Sequence, residues 1–158
     1  PDVMSLAKAL GGGFPIGACL ATAQAASGMT PGSHGSTFGG NPLAVAAANA
    51  VLDVMLKPGF FEHVQKMSLL LKQKLASVVD RYPAVLAEVR GEGLLIGVKA
   101  VVPSGDLVNA LRGEKLLTVG AGDNVVRLLP PLIITPADVD EAVAKLDRAC
   151  VSLRAKAA

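Results

Sequence analysis

Residues 5–22 read SLAKALGGGFPIGACLAT: a lone lysine in a small apolar run, three glycines, then a second apolar run. Ile16–Thr22 is short and apolar and reads as a buried strand leaving the glycine loop. Lys8 has two readings. In one it ends a short surface helix whose C-terminal cap is Gly11. In the other, Leu6, Ala7, Ala9 and Leu10 shield it from water. Taking an ammonium out of water favours the uncharged amine, the form that attacks a carbonyl carbon. Gly11, Gly12 and Gly13 then leave room for a flat ring or another backbone segment. A nucleotide-phosphate loop is excluded by order, because GxxxxGK[ST] places its glycines ahead of the lysine.

Downstream, residues 27–41, SGMTPGSHGSTFGGN, are too glycine-rich for a helix or a regular strand and read as a loop. Asn41 and Pro42 then open an alanine-rich helix, as N-cap and first helical residue. Ser36 and Thr37 lie between glycines just ahead of that helix end. Hydroxyls beside a positive helix terminus suit a phosphate dianion or a carboxylate; an ordinary capped loop has the same composition.

Pro58-Gly59 interrupts the pattern. Phe60, Val64, Met67, Leu71, Leu75 and Val78 then recur at three- and four-residue steps, a helix that ends before Tyr82-Pro83. Glu88–Val102 reads as strand, turn, strand, Asp106–Arg112 as a short helix, and Leu116–Val119 and Val125–Leu129 as strands. Thr135-Pro136-Ala137-Asp138 carries N-cap signals for a last helix that buries Val139, Val143, Leu146, Cys150 and Leu153. Strands alternating with helices give an α/β class. The expected division is 1–58, the end of a larger α/β domain, and 59–158, a smaller α+β domain.

Composition narrows the functional classes. A 51% hydrophobic content with 18% charge describes a folded chain. A net charge of +2 without a dense basic stripe argues against nucleic acid. No uninterrupted apolar run reaches about 18 residues and no leader pattern opens the chain, so no membrane association and a cytoplasmic location are expected. Cys19 and Cys150 have neither CxxC nor metal-ligand spacing and read as small buried hydrophobes in a reducing compartment. No metal is expected, because His34 and His63 lack partners at ligand spacing. His34 is assigned to shaping its loop, His63 to the solvated face of a helix, and Arg127 to a structural pairing with an acid. The chain opens on Pro-Asp-Val rather than Met, which suggests a piece of a longer polypeptide.

The lysine segment, followed 29 positions after Lys8 by Thr37 in GSHGSTFGGNPLA, resembles the class III aminotransferases, pyridoxal-phosphate enzymes of fold type I. FPIGACLAT, VRGEGLLIGV and VRLLPPLIIT add to the likeness, which covers essentially the whole chain. It implies the C-terminal part of that fold: the end of the large α/β domain plus the small α+β domain. Lys8 would hold pyridoxal 5′-phosphate covalently and then move the proton between the substrate Cα and the cofactor. Thr37 would donate to the cofactor phosphate across the interface of a homodimer with shared active sites. Ser36 would contact substrate. Arg90 would grip the α-carboxylate of an amino-acid substrate; without the family it reads as a surface arginine beside a turn.

The wording of the motifs points to an N-acetylated ornithine as donor and 2-oxoglutarate as acceptor. Relatives acting on ornithine, succinylornithine, succinyldiaminopimelate or 4-aminobutyrate share the lysine and threonine. Residues that the family carries upstream of the lysine have no counterpart here: the aspartate on the pyridine nitrogen, a phosphate loop, a stacking aromatic and a further arginine. The chain alone is therefore expected to be inactive. A reading from a different class is a non-catalytic α+β interaction fragment.

Overall fold

The computed structural model describes residues 1–157. The chain forms two compact units, Pro1–Phe60 and the chain from Phe61 onward.

In the first unit, β1 (Val3–Leu6) pairs antiparallel with β2 (Ala18–Ala21), Val3 opposite Ala21 and Leu6 opposite Ala18. A 3-10 turn, Lys8–Gly11, lies between them. The strand expected to be buried is exposed on both faces, and so is Cys19, because among the described residues β2 pairs with β1 alone in a two-stranded sheet. A one-turn helix, α1 (Ala23–Ala26), is capped by Thr22, whose hydroxyl accepts from Ala25 N at 3.2 Å. The glycine-rich loop follows, and α2 (Pro42–Met55) starts at the expected Asn41–Pro42. Asn41 Oδ1 accepts from Ala44 N at 2.9 Å, satisfying one of the helix's orphan donors.

The second unit packs three helices against one face of an antiparallel sheet. These are α3 (Phe60–Arg81), α4 (Ser104–Gly113) and α5 (Pro136–Ala157). The sheet runs β3 (Leu86–Glu92), β4 (Leu95–Ala100), β6 (Val125–Leu128), β5 (Val119–Ala121) in spatial order. Period-two alternation sends Ile96, Val98, Val126 and Leu128 into the core. They meet Met67, Leu71, Leu75 and Val78 of α3, Leu107 and Leu111 of α4, and Val139, Leu146, Cys150 and Leu153 of α5. Burial pushes the Cys150 thiol up to about 12.

Two expectations shift here. His63 is half-buried rather than solvated, and its Nε2 donates to the Ile134 carbonyl at 2.9 Å, tying α3 to the segment before α5. The strand expected at Leu116–Val119 forms at Val119–Ala121 instead. Its entry is delayed by a helix stop: Lys115 N bonds Arg112 O at 3.0 Å and Leu116 N bonds Leu111 O at 2.9 Å. Lys115 itself has φ 59°, so the last turn of α4 closes as a Schellman motif with lysine in the left-handed position.

Candidate functional site

Lys8 opens the 3-10 turn with φ 55°, a left-handed backbone that costs a residue with a Cβ about 1–3 kcal/mol. The surrounding chain over-determines it. Leu10 N bonds Ala7 O at 3.2 Å, Gly12 N bonds Ala9 O at 3.0 Å and Phe14 N bonds Gly11 O at 3.0 Å. Gly11 is buried, and a Cβ there would stand 2.8 Å from Ile16 Cγ2. Gly12 has φ 59°, and its Cβ would stand 2.9 Å from Cγ2 of Val51 on α2. Gly13, at φ 112°, faces open space.

The Lys8 side chain is exposed, and among the described residues its amine has no hydrogen bond or ion pair. The expected apolar shielding is missing for a steric reason: Ser5, Ala7 and Ala9 are too short to cover a four-carbon stem, and Leu10 is itself only half-buried.

Ser36 and Thr37 are exposed in the loop before α2, their hydroxyls unpaired among the described residues. Asn41 fixes the turn that follows them, residues 38–41. Its Nδ2 donates to Phe38 O at 2.8 Å while its Oδ1 caps α2. Gly39 N bonds Ser36 O at 3.3 Å, and a Cβ on Gly39 would stand 3.0 Å from Ser36 Oγ. No hydrogen bond links Lys8 with Ser36 or Thr37 within the chain. The donor set fits an aldehyde-bearing phosphate ester: a free amine beside a glycine face, and two free hydroxyls ahead of a fourteen-residue helix.

Arg90 lies in the second unit, on the sheet face turned away from the helices. It sits opposite Gly97, which sits opposite Arg127, so both arginines share that face with a glycine between them. They line a cleft of about 400 Å³ together with Leu95, Val125 and Gly122. Arg90 is engaged: its Nη2 lies 3.0 Å from Asp123 Oδ2 and its Nη1 3.5 Å from Glu88 Oε1. Lys99 Nζ lies 3.2 Å from the same Asp123 oxygen. Lys99 first, and then Arg90, holds the Asp123 carboxyl below its ordinary value.

Asp123 is presented by a turn in which it and Asn124 have φ 60° and 54°. Asn124 locks the turn, donating to Ala100 O at 2.7 Å and Val102 O at 2.8 Å and accepting from Ser104 N at 2.7 Å. On the helix side, Ser68 Oγ donates to Gly93 O at 2.5 Å and Lys72 Nζ to Gly91 O at 2.7 Å, which steadies the hairpin beside Arg90.

Arg127 departs from expectation: among the described residues it has no acid partner, and it is exposed. It is the free guanidinium of the cleft. The alternation in VVRL, which turns Arg127 away from buried Val126 and Leu128, was the available signal. A second cleft of about 520 Å³ between β6 and α5 holds none of the candidate residues. Among the described residues no group of His, Cys, Asp or Glu is placed to hold a metal.

Residues 1–150 match the model of the aminotransferase class-III family, and the chain belongs to it. The cofactor of that class is pyridoxal phosphate. The chain is 81% identical over 153 residues to acetylornithine aminotransferase 1 of Bradyrhizobium diazoefficiens, covering 97% of this chain and 38% of that protein. It is 61% identical over 158 residues to acetylornithine aminotransferase of Agrobacterium fabrum, covering 100% of this chain and 40% of the relative. The crystal structure of acetylornithine aminotransferase from Elizabethkingia anophelis superposes with a TM-score of 0.87 at 34% identity, over 96% of this chain and 41% of that one. The chain thus spans about two fifths of the length of the curated relatives it matches. The fold is that of the class, a fragment of fold type I.

Proposed function

We propose that this chain supplies the lysine, phosphate-anchoring and carboxylate-binding residues of an acetylornithine aminotransferase in arginine biosynthesis. The enzyme would transfer the amino group of N2-acetyl-L-ornithine to 2-oxoglutarate, giving N-acetyl-L-glutamate 5-semialdehyde and L-glutamate. The observation that carries the reading is Lys8: an unpaired amine on a left-handed backbone, at the start of a turn whose glycines leave one side open.

When bound, pyridoxal phosphate supplies an electron sink for the pair released as the substrate Cα–H bond breaks. Lys8 holds the cofactor and, uncharged, takes the proton from Cα and returns it. Thr37 donates its hydroxyl to the phosphate at the positive end of α2, and Ser36 contacts substrate beside it. A substrate carboxylate in the Arg90–Arg127 cleft meets Arg127 without displacing anything, whereas Arg90 would first leave Asp123 and Glu88. We therefore assign the bidentate grip to Arg127, with Arg90 flanking it and taking the carboxylate only when Asp123 lets go.

A homodimer with shared sites, in the cytoplasm, is part of the same reading. The homodimer is supported by Phe38, which follows Thr37, and Leu43, in the first turn of α2, 80% and 67% exposed, apolar side chains suited to a subunit interface.

The test uses the complete enzyme. Borohydride reduction should fix the cofactor to Lys8, and Lys8→Ala should abolish both that link and turnover. Label on another lysine overturns the assignment of Lys8, and a preference for free ornithine over N-acetylornithine overturns the donor.

A further inference from the structure

The sheet face turned away from the helices is laid out in rows. Glu88, Lys99 and Val125 stand side by side in one, and Arg90, Gly97 and Arg127 in the next. That register sets the two arginines two strand spacings apart, about 9.5 Å between their backbones. The floor between them is bare. Gly97 has no side chain, and a Cβ there would come 2.8 Å from Val125 Cγ1. A short dicarboxylate could lie across it with one carboxylate on each guanidinium.

The chain instead supplies an acid of its own to one of the two forks. Asp123 Oδ2 lies 3.0 Å from Arg90 Nη2. That carboxylate is clamped from behind, because Lys99 Nζ donates to both of its oxygens at 3.2 Å. The neighbouring Asn124 fastens the turn through Ala100 O, Val102 O and Ser104 N. Among the described residues no acid does the same for Arg127.

We propose that Asp123 is a specificity-determining residue: it stands in for a substrate carboxylate on Arg90, so that the cleft offers one open fork rather than two. This rests on the reading that Arg127 takes a carboxylate from both substrates. The donor of that reaction has one carboxylate and the acceptor two, and one site must hold each in turn. With a single open fork, both are gripped alike by one end, and the rest of the molecule is free to reach the reacting group. With two open forks, a dicarboxylate would lie across Gly97 with both ends engaged and its reacting carbon held on the sheet.

The test compares inhibition of the complete holoenzyme by glutarate and by valerate, which has the same carbon chain and one carboxylate. Asp123→Asn removes the masking charge, and asparagine tolerates the φ of 60° at this position. Glutarate should then bind about tenfold tighter than to wild type, the worth of one charge-assisted hydrogen bond, while valerate is nearly unchanged. Adding Arg90→Lys to Asp123→Asn keeps the positive charge and removes the planar fork. The double variant should return glutarate to its wild-type constant.

An unchanged glutarate constant in Asp123→Asn overturns the proposal. So does an equal gain for valerate, or a gain that survives in the double variant, since either reports the loss of a negative charge and not the release of a fork. If Asp123→Asn does not fold, Asp123→Gly also suits a left-handed backbone, and the same outcomes decide. Failure of the underlying reading looks different: Arg127→Lys would leave inhibition by both acids at wild-type values, which removes the cleft from carboxylate binding and the proposal with it.

Discussion

At the scale of single residues, the two arginines on the open sheet face show how partners decide availability. Arg90 and Arg127 have the same chemistry and the same face, but Asp123 and Glu88 occupy one and leave the other free. Arg127→Lys replaces a planar fork with a point charge. In the complete enzyme it should raise KM for both amino acid and 2-oxo acid about 10- to 100-fold, the range expected for hydrogen bonds to a charged group. Arg90→Lys keeps the charge beside Asp123 and should change KM only slightly. Steady-state kinetics of the two variants check this, and the opposite ranking would return the carboxylate to Arg90. The sequence made both arginines visible but not their partners. Asp123 is 33 positions from Arg90 and reaches it only because β6 pairs with β4 and the left-handed turn at Asp123–Asn124 leads directly into β6.

At the scale of elements, helix boundaries were legible and one strand entry was not. Thr135 and Asp138 form a reciprocal cap: Thr135 N and Oγ1 donate to Asp138 Oδ2 at 2.7 and 2.8 Å, and Thr135 Oγ1 accepts from Asp138 N at 3.3 Å. Threonine, proline and an acid in that order announce such a cap from the sequence alone. The turn that follows α4 carries no such mark, because its left-handed residue is Lys115 where glycine is the usual signal. That concealed turn, after a helix that ends within a residue of its expected stop, is why β5 was expected about three residues early. The cap also sets a pH dependence. The Thr135 backbone amide, then its hydroxyl, holds the Asp138 carboxyl below its ordinary 3.8. A lowered folded value means that the unfolded chain binds more protons, so the stabilisation is present above 3.8 and lost as pH falls through the folded value. Urea midpoints of wild type and Asp138→Asn should therefore differ at neutral pH and converge in acid; a constant gap would exclude this carboxylate as the source.

Across the whole molecule, burial is divided unevenly between the two units, and this separates what the sequence disclosed from what it did not. In Pro1–Phe60 the buried apolar side chains are Ala44 and Ala48, while Val3, Met4 and Leu20 of the two-stranded sheet are exposed. From Phe61 onward one continuous core runs from Met67 to Leu153. Hydrophobic periodicity revealed that core because it lies within the chain. The same reasoning buried β2 and Lys8 wrongly, because an apolar run reports a tendency to be covered and carries no information on what covers it. A pair of strands without a covered face is marginal in water, so the 158-residue chain should open unevenly. In native-state hydrogen exchange, amides of β4 and β6 should be protected to the limit of global unfolding, and those of β1 and β2 at least about a hundredfold less. The cysteines give a second readout. Exposed Cys19 should react with a thiol reagent within mixing, whereas Cys150, buried and with its thiol raised to about 12, should react only as the core opens. Equal protection in β2 and β6, with both thiols slow, would mean that the first unit holds itself together by contacts other than apolar burial.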